Sequence, residues 1–279
     1  MKIRRSGRLV DMTRYLLDHP HQLVSLSMFS SRYKAAKSSI SEDLVIVSEM
    51  LAHDGTGKLV TVPGAAGGVM FIPGWSKEKS LSMIDGLCDQ LSKPERLLPG
   101  GYLYLTDVLG NPRQVKPMGQ VFASVFADRK VDVVMTIATK GIPLAYAVAE
   151  QLGVPFVIVR SDSRVTEGST VSINYVSGSS KAIRTMALAR RSLPRGANVL
   201  LIDDFMKAGG TIRGMMSLLN EFEANLAGVG VLMEAEGAEK KMVSEYVSLM
   251  KLTNVDSDEG LVTISRGNVE QFLKGLANI

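Results

Sequence analysis

Val199-Leu200-Leu201-Ile202-Asp203-Asp204-Phe205-Met206-Lys207-Ala208-Gly209-Gly210-Thr211 is the stretch whose reading decides the fold. An unbroken apolar run ends in two acids, passes through a short glycine-bearing loop and enters a helical pattern over 211–222. A strand that is apolar at every position is buried on both faces, as in a parallel sheet covered by helices. Ligands of such sheets sit at the carboxyl ends of the strands. Two adjacent carboxylates there are costly unless used. Ionised, they accept hydrogen bonds only, which suits a vicinal diol. The loop that follows offers successive backbone N–H groups at a helix N-terminus, with Thr211 as a further donor. Glycines let that backbone close on an anion. A diol site next to a phosphate nest predicts a ribose phosphate ligand.

Working outward, the pattern repeats. Residues 114–127 read as a helix, 131–137 as a buried strand, 142–151 as a helix, 154–159 as a strand, and 227–233 as the last apolar strand of the series. Residues 75–98 read as an amphipathic linker helix with Leu81, Ile84, Leu87, Cys88 and Leu91 on one face. Pro73-Gly74 marks a boundary between residues 1–74 and 75–279.

Residues 1–74 carry a different pattern: a helix over 7–17 stopped by His19-Pro20-His21, then a short strand at Leu23-Val24-Ser25. A helix over 28–33 follows, capped by Ser27, and a third helix opens on a capping box, Ser39-Ile40-Ser41-Glu42. Two strands, 58–62 and 68–72, flank the turn Pro63-Gly64-Ala65-Ala66-Gly67. Three helices and a two-stranded ribbon in this order predict a winged helix-turn-helix, which inserts the N-terminal end of its third helix into the major groove. Lys34, Lys37, Ser38, Ser39 and Ser41 lie at that end, Lys58 on the ribbon, and Arg5 and Arg8 in the basic N-terminal segment. All suit contacts to double-stranded DNA. A solvated basic face or a protein-contact module remains open on these residues alone.

Composition narrows the rest. The chain has 279 residues, 46% of them hydrophobic and 22% charged, with a net charge of +4. The length suits about two domains. No run approaches the roughly 18 apolar residues of a membrane helix, and the N-terminus lacks the apolar core of a secretion signal. Cys88 is the single cysteine, so no intrachain disulfide can form, and the expected compartment is the cytoplasm. His19, His21 and His53 have no Cys or carboxylate cluster at ligand spacing, so no resident metal site is expected.

The stretch 199–211 resembles the loop of type I phosphoribosyltransferases that binds phosphoribosyl pyrophosphate (PRPP). Thr139-Lys140-Gly141-Ile142-Pro143 resembles that family's pyrophosphate loop, and 152–160 resembles its purine branch, notably the adenine and xanthine enzymes. Residues 161–193 fall where those enzymes carry a hood. There Lys181, Arg184, Arg190, Arg191 and Arg195 read mostly as a solvated helix face, some of them as phosphate contacts. The chain departs from the enzyme pattern at Phe205, where a small aliphatic residue is usual, and at Lys207-Ala208, where a small residue and threonine are usual. A phenylalanine near the ribose C1 would crowd an incoming base.

Over essentially its whole length the chain resembles the purine operon repressors of Gram-positive bacteria. The residues that carry this are 202–211, the segment 164–180 and Arg4-Arg5-Ser6-Gly7-Arg8-Leu9. The resemblance implies a cytoplasmic homodimer that binds operator DNA of purine synthesis genes and loses DNA affinity when PRPP binds, with Mg2+ accompanying the pyrophosphate. It also implies competition by guanosine tetraphosphate, whose guanine would stack on Phe205 or Tyr102. The expected fold is an α/β type I phosphoribosyltransferase-like parallel-sheet domain behind a small α+β winged helix-turn-helix domain. Two other functions are compatible with the same residues. One is a catalytic purine phosphoribosyltransferase with an N-terminal interaction domain, which Phe205 and Lys207 disfavour. The other is a transcriptional activator responding to the same ligand.

Overall fold

The computed structural model describes residues 3–64, 66–98, 102–161, 168–177, 182–237, 241–256 and 261–273. The N-terminal unit contains α1 (Arg5–Asp18), β1 (Leu23–Val24), α2 (Leu26–Tyr33), α3 (Lys37–His53), β2 (Gly57–Val62) and β3 (Gly68–Pro73). The three strands form one antiparallel sheet in the order β1-β3-β2. Its core is self-contained, built on Met12, Leu16, Phe29, Tyr33, Ile40, Leu44, Val47 and Phe71. This is the winged helix-turn-helix that the pattern predicts.

Two caps differ from the sequence reading. Ser25, not Ser27, caps α2, accepting from the Met28 N–H at 3.1 Å. Helix α3 opens at Ala36 and has no side-chain cap, so Ser39 lies inside the first turn and the capping box does not form. The reason is local. Lys34 adopts a left-handed conformation with φ of 51° that ends α2. Two non-helical alanines follow, and the next helix starts at Lys37, two residues ahead of Ser39. Two ion-pair clusters tie the helices together. Arg8 and Arg5 both reach the fully buried Asp43, and Arg32 and the Tyr33 hydroxyl both reach Asp11.

The second unit begins with α4 (Lys77–Leu91), capped by Ser76, followed by a single 3-10 turn (Pro94–Arg96). Next come β4 (Leu97–Leu98), β5 (Tyr102–Leu103), α5 (Thr106–Leu109), α6 (Pro112–Val125), β6 (Val133–Ile137), α7 (Ile142–Leu152) and β7 (Phe156–Val159). Strands β8 (Thr170–Val176) and β9 (Ile183–Ala189) pair as a hairpin, where a helix face was expected. Then β10 (Asn198–Met206), α8 (Gly210–Glu221), β11 (Asn225–Ala235), β12 (Val247–Asp256) and β13 (Leu261–Arg266) complete the described chain. The main sheet runs β13-β12-β11-β10-β6-β7, parallel except for the β12–β13 pair at its edge. Strand β10, the stretch quoted first, lies inside the sheet between β6 and β11. One apolar core lies on each face of the sheet. Residues 75–98 are not one helix, because Pro94 closes the helical segment.

Candidate functional site

The carboxyl ends of β10, β11 and β12 open into a cavity of about 750 Å³. Asp203 and Asp204 stand at its floor. Lys207, Ala208, Gly209, Gly210 and Thr211 curl around one end as the loop turns into α8. Gly209 sits at φ of 81°, and a Cβ there would come within 3.1 Å of the Val243 side chain, so both backbone and space call for glycine. Lys140, Arg184 and Ser177 line another side, and Tyr102, Leu103, Leu105, Thr253 and Asn254 the far end. Phe205 lies between, half-buried against the core and facing the cavity.

Asp203 is 4% exposed and pairs with no cation among the described residues; its Oδ1 accepts from the Asp204 N–H at 3.0 Å. Burial, and then the charge of Asp204, push its carboxyl well above the usual carboxylate range. Gly141, which caps α7, sits beside it: a Cβ on Gly141 would lie 2.5 Å from Thr136 Oγ1 and 3.2 Å from Asp203 Oδ1. The Thr139-Lys140-Gly141 loop and the acid pair, over sixty residues apart in sequence, thus meet at the start of α7. Tyr102 is 71% exposed at the cavity rim. Of the hood cations, Arg184 lines the cavity, Arg195 is paired with Glu223, and Lys181 lies outside the described residues, as does much of 164–180.

Sequence reasoning missed the neighbouring strand end. Glu234 on β11 lies level with Met206 on β10 and is 5% exposed. It binds Lys241, accepts from the Tyr246 hydroxyl at 2.7 Å and accepts from the Ser248 hydroxyl at 2.7 Å. Asn268 accepts from the Ser248 N–H at 2.8 Å. The adjoining Met242 N–H donates to the Ala208 carbonyl at 2.9 Å, so this cluster supports the glycine loop from behind. No motif marks these residues; only the strand-end position of Glu234 hinted at them.

The DNA-face residues divide. Lys37 and Ser41 line a groove between α3, the start of α2 and the ribbon, with Ser25, Ser27 and Thr61, which sequence reasoning had not assigned to DNA. Lys34 and Ser38 are exposed nearby, whereas Ser39 is half-buried. Lys58 is on the opposite face of the ribbon from Leu59 and Thr61, because side chains alternate along a strand. Arg8, with a side chain 13% exposed, is committed to Asp43, and Arg5 shares that partner. Their guanidinium groups hold α1 on α3.

The comparisons with known proteins agree with this architecture. Residues 4–73 match the model described as bacterial purine repressor, N-terminal, and residues 107–265 match the phosphoribosyl transferase domain. The purine biosynthesis transcriptional repressor of Bacillus subtilis is 60% identical over 98% of this chain and 96% of its own. The chain belongs to the bacterial purine repressor family. A purine biosynthesis transcriptional activator of Lactococcus lactis is also similar, 47% identical over 96% of this chain and 98% of its own. The fold of the second unit is shared with the adenine phosphoribosyltransferase of Rhodothermus marinus, with a TM-score of 0.52 and 21% identity over 61% of this chain and 99% of that one. Among the described residues no helix is long and apolar enough to cross a membrane, and no cluster of three or more His, Cys, Asp or Glu could hold a metal.

Proposed function

We propose that this chain is a transcriptional repressor of purine biosynthesis genes that leaves operator DNA when PRPP fills the cavity on β10. The observation that carries this is the cavity itself. It brings a diol-accepting acid pair with Asp203 buried, a glycine nest at a helix N-terminus and two cations that make no ion pair among the described residues, Lys140 and Arg184, around one space. A ribose 5-phosphate bearing a pyrophosphate satisfies each group in turn. Asp203 and Asp204 hold the ribose diol, residues 208–211 the 5-phosphate, and Thr139, Lys140 and Gly141 the pyrophosphate, with Mg2+ arriving on the pyrophosphate. Phe205 occupies the space beside the sugar, and the whole-chain relatives bear regulator names, both of which support a binding site without transfer chemistry. Two rings facing one cavity, Phe205 and Tyr102, support a second occupant: guanosine tetraphosphate, competing with PRPP and favouring the DNA-bound state. The working form is a homodimer in the cytoplasm. The repressor rather than activator reading follows the more similar relative.

The test is operator binding at fixed salt, with and without PRPP, in the wild type and in an Asp203→Ala, Asp204→Ala double variant. The wild type should release DNA on adding PRPP. The variant should bind DNA equally and ignore PRPP, because a ligand shifts an equilibrium only through differential affinity. Release from the double variant refutes the loop assignment. Base-dependent liberation of pyrophosphate from PRPP refutes catalytic silence, and simultaneous saturation by PRPP and the tetraphosphate refutes a shared pocket.

A further inference from the structure

We infer that helix α7 carries the occupancy of the effector cavity to the winged-helix unit, and that the Pro20–His21 turn is the joint that receives it. The inference rests on the PRPP reading above and names the residues through which that reading acts on DNA. One end of α7 is built into the cavity. Its cap, Gly141, touches Thr136 and Asp203, and Lys140 precedes it. A ligand that draws Asp203 or meets the Lys140-Gly141 amides therefore meets the first turn of α7.

The helix is a stiff element. It has 11 residues, about 16 Å at 1.5 Å per residue. Leu144, Ala145, Val148 and Ala149 are buried along it. Gly119 of α6 lies so close that a Cβ there would be 2.7 Å from the Ala147 backbone, so α6 and α7 pack at backbone distance. Close-packed interiors pass a displacement on rather than absorb it.

The other end of α7 abuts the N-terminal unit. A Cβ on Gly153 would lie 3.0 Å from the Pro20 carbonyl oxygen. His21, held at φ of 58°, buries its Nε2 without a hydrogen-bond partner. Burial lowers its pKa, with the Gln151 carbonyl acting in the opposite sense. The turn is fastened to the DNA-binding sheet, since the His21 N–H donates to the Phe71 carbonyl at 2.8 Å. Helix α6 also holds the chain where it enters the second unit, where Ser124 Oγ accepts from the Trp75 N–H at 2.8 Å. Across the boundary between the units, Lys79 Nζ donates to the Asp54 carbonyl at 3.0 Å. A displacement of the Gly153 end of α7 against Pro20 thus bears on the DNA-binding sheet through the His21–Phe71 hydrogen bond.

The experiment uses the full chain and a Pro20→Ala, His21→Asn variant; asparagine tolerates the left-handed backbone. Operator affinity is measured with and without PRPP, and PRPP affinity with and without operator DNA. In the wild type each ligand should weaken the other by the same factor, within about 5- to 150-fold. In the variant both factors should fall below about threefold while each ligand alone binds within about twofold of wild type. Undiminished reciprocal coupling in the variant overturns the relay and leaves the PRPP reading standing. Absence of coupling in the wild type overturns both. Hydrogen exchange on the unaltered protein covers the case of a variant that does not fold. PRPP should change protection at the amides of His21, Gly153 and Val154, and unchanged protection there overturns the relay.

Discussion

Two carboxylates at neighbouring strand ends meet opposite fates. Glu234 ends β11 with a lysine, a tyrosine hydroxyl and a serine hydroxyl on its oxygens. Asp203 nears the end of β10 equally buried, with a second acid beside it and no cation paired to it among the described residues. Burying an ionised group costs several kcal/mol unless partners replace the lost water. The first strand end is therefore self-sufficient, whereas the second is complete only when something outside the chain donates to it. Where a fold leaves buried charge unmet at a strand end beside a cavity, the missing partner is the ligand. Where it meets the charge, the residues are scaffold.

The comparison breaks most visibly at Glu234. Removing it strands the Lys241 ammonium and frees Tyr246 and Ser248, and loss of one member of a buried pair costs about 3–5 kcal/mol. Glu234→Ala should lower the melting temperature by roughly 10 °C, at about 2–4 °C per kcal/mol for a unit of this size. PRPP binding should weaken as well, because Met242 no longer holds the Ala208 carbonyl firmly. A melting temperature within about 2 °C of wild type, no more than the shift expected for about 1 kcal/mol, would make the cluster dispensable.

Neutralising Asp203 should act in the opposite direction. Its native carboxyl keeps a proton to higher pH than the unfolded chain, whose value is 3.8. Stability therefore falls as pH climbs from that value through the raised native pKa. Asparagine has no proton to lose, so Asp203→Asn should melt above wild type at pH 7, with the gain shrinking as pH is lowered toward 4. Effector binding should be lost with the carboxylate. Melting scans at both pH values check this, and a variant that melts lower at pH 7 would show that Asp203 is already satisfied in the empty pocket.

How much of this was legible depended on whether function sat in one run of residues. Asp203 to Thr211 are contiguous, so the strand, the acid pair and the nest could be read together. Lys140 and Gly141 were placed beside them only by resemblance, since no spacing in sequence says that β6 and β10 pair. Tyr102 belonged to the same pocket, but the β4–β5 ribbon that carries it is two residues per strand, too short to show a period. Strands β12 and β13 were not anticipated at all. β13 alternates exposed and buried positions at the sheet edge, and its run is more polar than the central strands. The cap of α2 was misplaced by two residues because Ser25 and Ser27 both fit a cap, and only the backbone decides between them. Arg5 and Arg8 looked like free basic charge because Asp43, more than thirty residues away, gives no local sign of its burial.

That last case extends the comparison to the DNA face, where the expected effects are smallest and the discrimination is sharpest. Lys34, Lys37 and Lys58 make no ion pair among the described residues, whereas Arg5 and Arg8 share Asp43. By the rule drawn from the strand ends, the unpaired cations await phosphates and the paired ones hold the helices. Lys34→Asn, Lys37→Ala and Lys58→Ala should each leave the melting temperature nearly unchanged. Each should weaken operator and unrelated DNA alike, and reduce the slope of log affinity against log salt by about 0.9. Lys34 is changed to asparagine because its backbone is left-handed. Lys58, on the far face of the ribbon from Leu59 and Thr61, is the most exacting of the three. If its variant keeps the full slope while the other two lose theirs, DNA lies along the groove of Lys37 and Ser41 alone and the ribbon contributes its other face. Arg8→Ala should do the reverse, lowering the melting temperature by exposing the buried Asp43 charge while keeping the salt slope of whatever DNA binding the folded fraction retains. An Arg8 variant that melts normally and loses a unit of slope would move that residue from scaffold to DNA contact, and with it would go the rule that pairing separates the two.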